Sequence, residues 1–82
     1  MKPKTLYIDI DEEITGIIDK VRSSNESIIA LVLPKNAPVF QSLVNLKLLK
    51  RAAEAASKKP VLITSNPNVM SIAGVSGMYV AK

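Results

Sequence analysis

Three groups of residues in this 82-residue chain have types and spacings that could do chemistry. Asp9 and Asp11 close an extended segment, and in open α/β sheets ligands and catalytic groups collect at the carboxyl ends of strands. Thr64-Ser65-Asn66-Pro67 leads from an apolar run into a helix. The free backbone N–H groups of that helix start, with the Ser65 hydroxyl, would hold a phosphate or carboxylate, making Thr64, Ser65 and Asn66 an anion-binding set. Both groups have a plainer reading as well: Asp11 and Asn66 as helix caps, Asp9 as a solvated strand end. Lys47, Lys50, Arg51 and Lys58 share one side of a long helical segment, a basic face of the kind that attracts nucleic acid or an anionic surface. A solvated helix needs such charges too. The chain has no Cys and no His, which removes thiol and imidazole chemistry and nearly all zinc-site patterns. No Gly-rich dinucleotide fingerprint and no Walker-type loop follows any apolar run, so no cofactor is expected.

The elements that would position these groups follow from hydrophobic spacing. Ile28-Ile29-Ala30-Leu31-Val32-Leu33 and Val61-Leu62-Ile63-Thr64 are continuous apolar runs, the pattern of strands covered on both faces. Leu31 and Ile63 are therefore both expected in the core. Thr5-Leu6-Tyr7-Ile8-Asp9-Ile10 alternates, and Met78-Tyr79-Val80 is a short fourth strand. Ile14, Ile17, Ile18 and Val21 recur at helical spacing after Asp11, the expected cap, with Glu12 and Glu13 in the first turn. Gly16 suggests close packing against a neighbour. A long helix is expected from near Pro38 to Ser57, with Val39, Leu43, Leu46, Leu49, Ala53 and Ala56 facing inward. Asn66-Pro67 starts a third helix and Gly77 ends it in the left-handed conformation.

The order β-α-β-α-β-α-β, with right-handed crossovers, predicts an α/β fold. It is a small Rossmann-like layered unit with a four-stranded, mainly parallel sheet, its second and third strands central and its fourth at an edge. Residues 1–82 form a single domain, expected to be excised from a longer protein. With 48% apolar and only 4% aromatic residues the core must be aliphatic. That is more aliphatic surface than four strands easily hide, which predicts an interface; Tyr7, Val39, Phe40, Leu43 and Tyr79 are its candidate residues. No apolar run approaches the ~18 residues of a membrane span. The expected location is the cytoplasm, as a free protein or as the cytoplasmic domain of a membrane-anchored one.

Leu33-Pro34-Lys35, Asn45-Leu46-Lys47-Leu48-Leu49-Lys50-Arg51 and Val61-Leu62-Ile63-Thr64-Ser65 together resemble an N-terminal Rossmann-like α/β module of uncharacterised, envelope-associated bacterial proteins of the candidate-phyla group. That resemblance implies an accessory or binding module rather than an enzyme. The Asp9-x-Asp11 pair, with Thr64 and Ser65, is similar to the nucleophile, acid/base and phosphate-binding residues of haloacid dehalogenase-like phosphatases. In that family Mg²⁺ sits on the carboxylates. The family also needs acidic ligands further along the chain, and Glu54 is the only carboxylate after Glu26. The strand–helix order of residues 28–76 is similar to the kink-turn-binding ribosomal proteins, without their Gly-rich RNA-gripping loop. The leading expectation is a non-catalytic interaction module acting by protein–protein contact or self-association. Nucleic-acid or anionic-surface binding through the basic face, and a Mg²⁺-dependent site at Asp9 and Asp11, are the alternatives.

Overall fold

The computed structural model describes residues 2–82. Its elements are β1 (Lys4–Tyr7), α1 (Ile14–Ser23), β2 (Ile28–Val32), a 3-10 turn (Pro38–Phe40), α2 (Leu43–Ala55), β3 (Lys59–Ile63), α3 (Pro67–Ser76) and β4 (Tyr79–Ala81). The sheet has four strands in the order β1-β2-β3-β4, and every neighbouring pair is parallel. The expected α/β unit is present, with β2 and β3 central and β4 at an edge.

The sequential order decides where the helices go. Each right-handed crossover moves the chain one strand onward in the same direction, so all three helices arrive on one face of the sheet. There α2 packs against both α1 and α3, giving one helical layer over one sheet layer. Residues in direct register share a face of a pleated sheet. Leu6, Leu31, Leu62 and Val80 form one such row, turned toward the helices, with Ile29 and Pro60 in the row before it. Leu31, Leu62 and Ile29 are completely buried. They meet Ile17 and Val21 of α1, Leu46, Leu49 and Ala53 of α2, and Val69 and Ala73 of α3 in the hydrophobic core.

Among the described residues only that face is covered by helices. The expectation that both central strands are buried on both sides holds for the helix side alone. Ile63 stands one residue out of phase with Leu62 and lies on the other face, half-buried and outside the core. Continuous apolar runs result whether the second face is covered by the chain's own helices or left open, so the pattern did not separate the two cases.

Three local features also differ from the sequence reading. The α1 cap is Glu13, not Asp11, and no acidic residue occupies its first turn. Residues 9–12 are consumed by a closed turn: the Glu12 N–H donates to Asp9 O (3.1 Å), and the Glu12 carboxylate accepts from the Asp9 N–H (3.0 Å). The long helix starts at Leu43 instead of Pro38, because Ser42 caps it by accepting from the Asn45 N–H at 3.3 Å. Gly16 is exposed, and a Cβ added there would meet nothing within 4 Å, so no close packing explains it. The start and end of α3 are as expected, with Asn66 as cap, Pro67 in the first turn and Gly77 left-handed at φ 80°.

Candidate functional site

The loops after β2 and β3 meet in a groove of about 530 Å³ at the carboxyl end of the sheet. Thr64 is buried there, and its Oγ1 accepts from the Asn66 N–H at 3.1 Å. Asn66 Oδ1 accepts from the N–H groups of Asn68 (2.9 Å) and Val69 (3.4 Å), while Asn66 Nδ2 donates to Lys35 O (3.3 Å). The donors expected to receive an anion are thus turned toward Asn66 itself. Ser65 remains exposed, in the same groove as Lys35.

Asp9 and Asp11 are exposed on the turn after β1. β2 separates β1 from β3, so Asp9 and Thr64 lie at strand ends two inter-strand spacings apart, roughly 9–10 Å. The topology does not bring the four phosphatase-like residues onto neighbouring strands. Among the described residues no group of three or more acidic side chains is placed to hold a metal ion. The charged contact in this turn belongs to Glu12, whose Oε2 lies 2.7 Å from Lys20 Nζ. The Asp9 N–H, and then Lys20, hold the Glu12 carboxyl below its ordinary value.

The basic residues divide. Lys47 and Arg51 are exposed along α2. Lys50 is half-buried, its amino group against Gly77 at the end of α3. Lys58 is turned away and donates to Glu26 O at 2.9 Å, fastening the entrance of β3 to that of β2.

The interface candidates divide as well. Phe40 is completely buried, contrary to its expected surface role: the 3-10 turn that replaces the first turn of the long helix rotates it into the core. Val39 packs partly against that core, and Leu43 stands at 36% exposure. Tyr7 and Tyr79 are 76% and 58% exposed, and both belong to the uncovered face of the sheet. Their register rows define that face. One row is Thr5, Ala30, Val61, Tyr79, and the next is Tyr7, Val32, Ile63, Ala81. Ile28 and Lys59 form the row before them. The Lys59 ammonium lies 4.2 Å above the Tyr79 ring, a cation–π contact at the rim.

Ile28, Ala30, Val32, Val61 and Ile63 stand on the uncovered face but are absent from the interface candidates that the sequence suggests. They are half-buried but belong neither to the core nor to the side chains packed against it, so their partial cover comes from one another and from the strands they stand on. The usable signal was Tyr7. It alternates with buried-side Leu6 and Ile8, placing a large aromatic on the second face of the first strand.

Among the described residues no helix is long and apolar enough to cross a membrane. Comparison with protein-family models, with curated proteins and with solved structures finds no match.

Proposed function

We propose that the chain is a non-catalytic interaction module of a larger bacterial protein or assembly, and that it docks a protein partner on the open face of its sheet. The observation that carries this reading is the row structure of that face: Val32, Val61 and Ile63 side by side, without a helix above them, between Tyr7 and Tyr79. Parallel sheets are ordinarily covered on both faces, because their strands are apolar on both. Here the second cover is missing from the chain's own helices. Four strands about 4.8 Å apart, with side-chain rows about 7 Å apart, outline an apolar surface on the order of 300–400 Å². A patch of that size matches the largest apolar patch of an ordinary monomer, which is often functional. Tyrosines at its rim suit the role, since their rings add apolar contact and their hydroxyls stay in water or meet a polar partner.

Methyl NMR of the dilute chain with a soluble paramagnetic agent tests the availability of the face. Strong relaxation of the Val32, Val61 and Ile63 methyls, with Leu31 and Leu62 protected, is the expected result. Equal protection of all five would mean that the chain covers the face itself, and the docking reading would fall.

A further inference from the structure

We infer that the occupant of the open sheet face is a second copy of this chain, packed face to face about a two-fold axis that runs along the strands. This rests on the docking reading above and goes further by naming the partner. It comes from how residue size is distributed over the four corners of the face. Tyr7 stands at the β1 edge and Tyr79 at the β4 edge, one row apart, so the two large side chains occupy one diagonal. Thr5 and Ala81 occupy the other diagonal, and both are small.

A two-fold axis along the strands, midway between two facing sheets, reverses the strand order of the second copy above the first. β4 of one copy then lies over β1 of the other, and β3 over β2. Tyr7 faces Ala81 of the second copy, and Tyr79 faces Thr5 of the second copy. In the centre Val32 faces Ile63, and Ala30 faces Val61. Every bulky corner meets a small one, and the middle of the face is filled by aliphatic pairs. This is the self-complementarity that an isologous interface requires. Facing sheets pack about 10 Å apart, a spacing that needs interdigitating large and small side chains. The axis also sets Ile28 against the aliphatic stem of Lys59 in the third row. A two-fold axis across the strands would pair only the two upper rows.

Charge placement agrees. The chain carries a formal net charge of +4, which opposes association of identical copies in general. Lys47 and Arg51, however, lie on α2 in the other layer of the molecule, and Lys59 is the one lysine of the three rows. The Lys59 ammonium stands over its own Tyr79 ring at the β4 edge of the face, where the ring partly offsets its charge. The area is below the ~800 Å² per partner of a standard stable complex, so the dimer is one that dissociates on dilution.

Sedimentation equilibrium from micromolar to millimolar chain, with a size-swap series, tests the arrangement. The unaltered chain is expected to show a monomer–dimer equilibrium in that range. Tyr7→Ala leaves a hole opposite Ala81 and should weaken association about tenfold. Ala81→Tyr sets two tyrosines against each other and should abolish it. The double variant Tyr7→Ala/Ala81→Tyr restores a large-over-small pair and should recover most of the lost affinity. Because the chain has no native cysteine, a mixture of Tyr7→Cys and Ala81→Cys chains gives an independent measurement. With a short bismaleimide whose reach suits sheets about 10 Å apart, a hetero-crosslink forming faster than either homo-crosslink is expected.

A monomer at every concentration would overturn the second copy. If the open face were still relaxed by the paramagnetic agent, the docking reading would stand for another partner. Dimerisation without rescue by the swap, or without preferential hetero-crosslinking by the bismaleimide, would overturn the axis along the strands.

Discussion

Ser57 and Gly77 occupy the same structural position at the ends of α2 and α3. Each has positive φ, 58° at Ser57 and 80° at Gly77. In each case the following N–H returns to the last turn: Lys58 to Ala53 O at 2.7 Å, Met78 to Ala73 O at 2.9 Å. The same helix-ending motif is thus built once with the residue that favours it and once with a residue that resists it.

Ser57→Gly should therefore stabilise the domain, by about 0.5–1 kcal/mol, because relief of left-handed strain exceeds the extra unfolded-state entropy of glycine. Gly77→Ala should cost about 1 kcal/mol for the converse reason. The Lys50 amino group, 2.7 Å from the position a Cβ would take, adds little, since the end of a flexible side chain moves aside. Urea melts of the two variants check the pair, and equal signs would contradict the shared motif.

The helical glycines give a second expectation. A Cβ at Gly16 in α1 or Gly74 in α3 would meet nothing within 4 Å. Gly16→Ala and Gly74→Ala should each add about 0.5–1 kcal/mol, by restricting the unfolded chain and improving helix propensity. The sites lie on different helices, so the double variant should show the sum, measured as a shift of the denaturation midpoint at constant m-value.

The two faces of the sheet predict opposite outcomes for neighbouring residues. Leu31→Ala and Leu62→Ala remove fully buried side chains and should each cost about 2–5 kcal/mol. Ile63→Ala, one residue from Leu62 but on the open face, should cost less than half as much in the dilute monomer. Lys50→Ala, at the rim of the helical layer, should change stability by no more than about 0.5 kcal/mol. Chemical denaturation at micromolar concentration reads all four.

Residues 28–33 and 61–64 announced two central strands through their apolar runs, and Asn66, Pro67 and Gly77 announced both ends of α3. Those signals are local: caps, fixed φ and left-handed tolerance act within a few residues. Strand order is not local, and the open face depends on it. Had the order reversed at one crossover, α2 or α3 would have covered Val32 and Ile63 with no change in their sequence pattern. Phe40 was misplaced for a related reason. Pro38 and Ser42 are both helix starters, and only the tertiary fold shows that the 3-10 turn takes the first and α2 the second. At the groove the plainer reading of Asn66, as a helix cap, is the one observed: its side chain takes the helix N–H groups that an anion would have used.

Glu12 sets an acid dependence. Its carboxyl is held below the ordinary value of 4.5 by the Asp9 N–H first and Lys20 second. A carboxyl with a lowered folded-state pKa stabilises the fold fully above its unfolded value, and that contribution is lost as pH falls through the folded value. The wild type should therefore exceed Glu12→Gln in stability near neutrality, and the difference should shrink below pH 4.5 as the lowered value is approached and passed. Melting temperatures of both proteins between pH 7 and pH 2 check the sign; a gap that widens on acidification would refute it.

The sequential strand order has a kinetic meaning beyond the shape of the surface. Each strand pairs only with the strands immediately before and after it in the chain, and each helix closes the step between them. No segment has to be inserted between two that are already joined, so every pairing closes a loop of only one crossover, and loop-closure entropy is paid in small instalments. Assembly can begin at the β2–β3 pair, where Leu31 and Leu62 stand side by side, and spread outward in both directions. Nearest-neighbour coupling of this kind is what lets solenoids propagate from any nucleus, and here it leaves β1 and β4 as the last strands to join and the first to fray.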